Sequence, residues 1–128
     1  MSILLDTHTA LWYFLDDPRL TARAREHVRV HEGKVYVSIA SVWELAIKIS
    51  RGKYAIDLPF DTFWTRHLTE NDFTLLSPSI PHLAKVAELS HFHGDPFDRL
   101  IIAQAISENF PLVSCDDLLD QYPITRIW

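Results

Sequence analysis

With one cysteine, three glycines and no apolar run of membrane length, the chain has little of what builds disulfide scaffolds, glycine-rich loops or membrane spans. Cys115 stands alone, which excludes an intrachain disulfide and any zinc site assembled from several cysteines; within Leu112-Val113-Ser114-Cys115 it reads as a buried strand thiol. No stretch reaches the roughly 18 uncharged apolar residues that a membrane helix needs. Met1-Ser2-Ile3-Leu4-Leu5-Asp6 carries no basic segment ahead of its apolar run, so no signal peptide is indicated and the expected location is the cytoplasm. Internal repeats, low-complexity tracts and linkers are missing too. Basic charge is scarce: 12 Lys and Arg stand against 17 Asp and Glu, and a net charge of −5 argues against broad attraction to nucleic acid. Arg19, Arg23, Arg25 and Arg29 form the one basic group, open to reading as a solvated helix face or as an RNA contact.

What the chain does have is apolar material. Forty-eight per cent of its residues are apolar and 12% aromatic, enough for one core, and a single domain over residues 1–128 is expected. Ile3-Leu4-Leu5 reads as a buried parallel strand delivering Asp6 at its carboxyl end, with Thr7 as the cap of a helix over His8 to Leu15. A second helix runs from Thr21 to about Glu32, with Gly33 as its C-terminal signal. Val35 to Ser38 is the next strand, and Ile39-Ala40-Ser41 leads into a helix over Val42 to Ile49 that Gly52 closes. Phe60 to Thr69 reads as a helix whose aromatics belong to the core, Phe73 to Ser77 as a strand, and Pro81 to Leu89 as a helix. Pro96 opens a helix in which Gln104 is the only polar residue between Leu100 and Ile106, so it is expected to be buried on most sides. Pro111 to Asp117 and Ile124 to Trp128 complete the strands. Strands alternating with helices imply a mostly parallel α/β sheet of four to five strands with helices on both faces.

In such a sheet, ligands bind beyond the carboxyl ends of the strands. Asp6 and Asp116 fall at such ends, while Glu44 and Asp98 fall in the first turns of helices. Asp95 reads either as an N-cap or as a further member of the group. If the carboxylates converge, two unit charges about 5 Å apart repel by roughly 3 kcal/mol at an effective dielectric near 20. Several such pairs would outweigh the roughly 5–15 kcal/mol that stabilises a typical domain. Protons or divalent cations must therefore sit among them. An all-oxygen set suits Mg²⁺ or Mn²⁺, and the matching chemistry is metal-dependent hydrolysis of a phosphodiester.

Four segments carry a resemblance: Leu4-Leu5-Asp6-Thr7-His8, Ser41-Val42-Trp43-Glu44-Leu45-Ala46-Ile47-Lys48, Asp95-Pro96-Phe97-Asp98-Arg99-Leu100-Ile101-Ile102-Ala103-Gln104-Ala105, and Leu112-Val113-Ser114-Cys115-Asp116. In this order they resemble the PIN-domain ribonucleases, and within them the VapC-type toxins of bacterial toxin–antitoxin pairs. The resemblance implies a three-layer α/β/α fold and assigns Asp6, Glu44, Asp98 and Asp116 as the catalytic and metal-site acids, with Asp95 and Asp117 as further candidates. It also implies endonucleolytic cleavage of RNA with Mg²⁺ or Mn²⁺, a homodimer, and a small antitoxin protein that holds the toxin inactive. Ser114 departs from the Thr that many members carry but keeps the hydroxyl.

Other residues remain open between roles. Arg99 is read as a phosphate contact or an ion-pair partner of a nearby Asp, and Lys48 as the i,i+4 partner of Glu44. His91 and His93 lie in a loop before an all-oxygen site and are left outside it. Leu11-Trp12-Tyr13-Phe14-Leu15 is apolar around its whole helix, as deep core or as part of a protein interface. A binding-only module is the competing class. A phospho-receiver would need an acid pair after the first strand, an Asp after a middle strand and a late Lys, whereas Asp6 is followed by Thr7-His8 and no Lys follows Lys85. An aspartyl-phosphate hydrolase of the haloacid type would need an acid where His8 stands. The alternative left is a catalytically silent PIN fold that only pairs with a protein partner.

Overall fold

The computed structural model covers all 128 residues. Five strands form one sheet: β1 (Ile3–Leu5), β2 (Val35–Ser38), β3 (Phe73–Leu76), β4 (Leu112–Val113) and β5 (Arg126–Ile127). Their order is β3-β2-β1-β4-β5 and every pairing is parallel. From β1 the chain winds outward to β2 and β3, then crosses back to place β4 on the other side of β1. The order in which strands are added thus reverses between β1 and β4, and a crevice opens beyond their carboxyl ends. No helix is long and apolar enough to cross a membrane.

Six helices complete the layers: α1 (Thr7–Phe14), α2 (Ala22–Arg29), α3 (Ile39–Ser50), α4 (Phe60–Asn71), α5 (Ile80–Glu88) and α6 (Pro96–Glu108), with a 3₁₀ helix at Asp117–Gln121. Side chains of β1 alternate between two cores, as the pleat requires. Ile3 and Leu5 join Leu11, Ala24, Leu45, Phe63 and Trp64 on one face. Leu4 joins Ile101, Ile102, Leu112 and Leu119 on the other. The α6 helix is buried on most sides, as its composition predicts, and Gln104 is fully buried with its Oε1 accepting from the Ser38 hydroxyl at 2.6 Å. That bond ties the end of β2, and hence the start of α3, to α6.

Several expectations about local structure are corrected. α2 ends at Arg29, and Gly33 is not its terminator: a Cβ at Gly33 would meet the Met1 carbonyl oxygen at 1.5 Å, so glycine is required by the close pass of the N-terminal segment. α3 begins at Ile39, directly capped by the Ser38 side chain, which puts Glu44 one turn deeper than expected. β4 stops at Val113 because Ser114 to Asp116 turn into the 3₁₀ helix; Cys115 is therefore exposed in that turn instead of buried in a strand. Gly52 does close α3 as expected, with φ at +69°.

Candidate functional site

Asp6 follows β1 immediately and is itself the N-cap of α1, its Oδ1 accepting from the Thr9 backbone N–H at 2.8 Å. Thr7 was the cap expected from sequence. Thr7 is instead buried, and its hydroxyl donates to Glu44 Oε1 at 2.8 Å while lying 2.9 Å from Ser41 Oγ. Since Thr7 has one hydroxyl proton, the Ser41 hydroxyl donates to it, and Glu44 sits at the end of a short buried chain of donors. The other oxygen of Glu44 meets Lys48 Nζ at 2.9 Å, the expected i,i+4 pair.

Asp98 is the third residue of α6. Asp95 caps that helix, its Oδ1 accepting from Phe97 N–H at 2.8 Å and Asp98 N–H at 3.1 Å, so the capping reading holds for Asp95. Asp116 caps the 3₁₀ helix through Leu118 N–H at 3.1 Å and lies beyond the end of β4 instead of at its last residue. Asp117 is exposed on that helix.

The structure brings Asp6, Asp98 and Asp116 to one cleft of about 120 Å³ with an apolar floor that includes Ile101, Ile102 and Leu112. Glu44 stands behind it, buried and fully hydrogen-bonded, yet its charge reaches Asp98. Asp98 is pushed up to about 7, first by burial and then by the Asp95 carboxylate, with Glu44 and Asp6 adding and His93 opposing. Burial also raises Asp6, against hydrogen bonds from Ser114 and Thr9 that pull it down. The Ser114 hydroxyl accepts from Asp116 N–H at 3.1 Å. The serine standing in place of threonine therefore touches both acids that flank the β1/β4 crevice.

His93, left outside the site on sequence grounds, lies inside it: its Nε2 is 3.0 Å from Asp116 Oδ2 and 3.2 Å from Asp98 Oδ2. The available signal was its place two residues before a capping Asp, which lets the ring fold back onto the helix start. His91 is exposed in the same loop.

Arg99 fits neither expected role. It is buried and donates to four backbone carbonyls, those of Val86, Leu89, Ser90 and His93, at 3.0–3.4 Å, fastening the α5–α6 connection. Three arginines of the α2 region are ion-paired: Arg19 with Asp17, Arg25 with Asp16 and Arg29 with Glu26. Arg19 and Arg25 also lie over the rings of Trp12 and Tyr13, at 5.0 and 5.5 Å from their centroids.

Comparison with known proteins places these features. The PIN domain family matches residues 3–124. Ribonuclease VapC22 of Mycobacterium tuberculosis is 33% identical over 132 aligned positions, covering 99% of this chain and 98% of that protein. Among solved structures, VapBC2 from Rickettsia felis, bound to a DNA fragment from its promoter, superposes with a TM-score of 0.71 at 16% identity, covering 99% of this chain and 98% of the matched one. FitAcB from Neisseria gonorrhoeae superposes with a TM-score of 0.67 at 18% identity, covering 100% and 97%.

Proposed function

This chain belongs to the PIN-domain family, and from that premise we propose that it is a divalent-metal-dependent endoribonuclease acting as the toxin of a toxin–antitoxin pair. The observation that carries the reading is the convergence of Asp6, Asp98 and Asp116 on one small cleft, with Asp98 shifted to about 7. Lys48, the lysine in direct contact with this group of acids, is paired with Glu44. Crowded oxygen donors lacking a compensating charge fit Mg²⁺ or Mn²⁺.

Asp6, Asp98 and Asp116 would hold the ion, with Glu44 beside them. When bound, the cation supplies charge neutralisation at the phosphodiester and a water of lowered pKa. The chain's own groups set the geometry. The α1 and α6 caps fix Asp6 and Asp98 to rigid helix ends. Thr7 and Lys48 hold the Glu44 carboxylate in one orientation. Ser114 holds the Asp116 turn against Asp6. The apolar floor keeps water away from the far side of the carboxylates, so their charge is less screened than in bulk solvent.

The partner is a small antitoxin protein, a reading supported by the likeness to VapBC2. Trp12 and Tyr13 on α1 are half-buried and Leu15, the residue that caps it, is 48% exposed, leaving part of this aromatic segment open to a partner. The toxin acts in the cytoplasm as a homodimer, with Trp43 on α3 and Ile80 and Leu83 on α5 among its exposed apolar side chains.

Purified protein incubated with mixed RNA in Mn²⁺, Mg²⁺ or EDTA tests the activity. Cleavage with either cation and none in EDTA is expected. Full cleavage in EDTA refutes the metal reading, and no cleavage under any condition returns the chain to a silent PIN module.

A further inference from the structure

The side chain that joins Asp98 to Asp116 is not an acid. His93 Nε2 stands between their Oδ2 atoms, at 3.2 and 3.0 Å. Its other ring nitrogen decides what Nε2 can do. Nδ1 accepts the Asp95 backbone N–H at 3.2 Å, and an imidazole nitrogen that accepts carries no proton. The ring proton is then on Nε2, which donates to Asp116 Oδ2, stands 3.2 Å from Asp98 Oδ2, and has no lone pair to offer a cation. Coordination through Nε2 would move the proton to Nδ1 and set it head-on against the Asp95 N–H.

The ring is also held in place. The His93 N–H donates to Tyr122 Oη at 2.9 Å, and the Tyr122 hydroxyl in turn donates to the Ser90 carbonyl at 2.8 Å. The His93 carbonyl accepts from Arg99 at 3.2 Å. The His93 side chain is only 13% exposed.

We propose that His93 is a positioning residue: its Nε2–H, directed by the Asp95 backbone N–H, bonds the Asp116 carboxylate and sets it against that of Asp98 in the arrangement that receives the divalent cation, without ligating it. This rests on the metal-site reading above. In metal proteins such outer donors typically tune affinity 10–100-fold.

The test is Mn²⁺ binding to the full chain, followed by the EPR signal of free Mn²⁺, for wild type, His93→Ala and His93→Gln. Pulsed EPR on the bound ion reads any directly bonded imidazole nitrogen. His93→Ala is expected to bind about 10–100-fold more weakly. His93→Gln, whose amide donates from a similar position, is expected to recover most of that loss. No ¹⁴N coupling that disappears on His93→Gln is expected. A coupling present in wild type and lost in His93→Gln makes His93 a ligand and overturns the proposal; one that persists in the variant belongs to another ring, such as that of His8 at the cleft, and leaves it standing. Wild-type affinity in His93→Ala overturns it from the other side. If His93→Ala does not fold, the Gln variant and the nitrogen coupling decide alone. Absence of Mn²⁺ binding in wild type would refute the metal site itself, an outcome distinct from any difference among the variants.

Discussion

Replacing Asp98 by Asn separates a metal-site carboxylate from a structural one, because the two roles predict opposite signs in the metal-free protein. In the folded chain without metal, the Asp98 carboxyl titrates near 7 instead of its ordinary 3.8, chiefly through burial and secondly through Asp95. Folding therefore favours the protonated form. The stability this group contributes is fully present below about pH 4 and is lost as pH rises through about 7. A shift of about three units corresponds to roughly 4 kcal/mol before screening. The side chain is about a third exposed, so the realised penalty is closer to 1–3 kcal/mol. Asn carries no charge and escapes it. In EDTA at about pH 8, Asp98→Asn should melt higher than wild type by roughly 3–10 °C for a chain of this length. At about pH 5 the gap should shrink to less than half, since wild-type Asp98 then holds its proton. Mn²⁺ should raise the melting temperature of wild type and have little effect on the variant. Paired calorimetric or fluorescence melts check all of this. A variant that melts lower than wild type in EDTA at both pH values, with RNA cleavage intact, would falsify the assignment of Asp98 to a crowded metal site.

Two further outcomes follow from other parts of the fold. Arg99→Met removes a donor from four carbonyls, of which those of Leu89 and His93 have no other while Ser90 keeps the Tyr122 hydroxyl and Val86 the Leu89 N–H, and should cost about 2–4 kcal/mol in urea unfolding; an unchanged midpoint with weakened RNA binding would return Arg99 to a phosphate contact. Trp12→Ala and Tyr13→Ala should each weaken antitoxin binding or self-association by about 2 kcal/mol, roughly thirtyfold. Titration calorimetry and sedimentation read the two, and unchanged values for both variants would make this surface ordinary core.

The strands and helices were legible because apolar runs and helical spacings alternate along the whole chain, and β1 could be read from three consecutive buried residues. The parallel sheet put Asp6 at the end of β1 and Asp116 at the end of β4, from which Ser114 and Cys115 in fact separate it, and the family resemblance joined Asp98 to them. The parts that were not legible depend on contacts with backbone. Arg99 looked like a site residue, but its partners are carbonyls 6–13 residues earlier in a bend with no sequence pattern of its own. His93 enters the cleft because its backbone is pinned by Tyr122 and Arg99, and neither contact is periodic in sequence. Thr7 looked like a cap because caps are short polar side chains; Asp6 took that place and freed the Thr7 hydroxyl for Glu44. Cys115 was misplaced by about two residues of strand length, enough to move a side chain from core to solvent.

The central position of β1 bears on synthesis. Leu4 N–H donates to the Pro111 carbonyl and Asp6 N–H to the Val113 carbonyl, so one whole edge of the first strand waits for a partner made near the end of translation. At about 5–20 residues per second, that delay is on the order of 5–20 s. During this interval a nascent chain already holds Asp6, Glu44 and eventually Asp98 but has neither β4 nor the Asp116 turn, and its crevice has only one wall. The cleft is thus assembled only once β4 and the Asp116 turn have been made, and a truncated product released early carries most of the acids without the enclosure that brings them together.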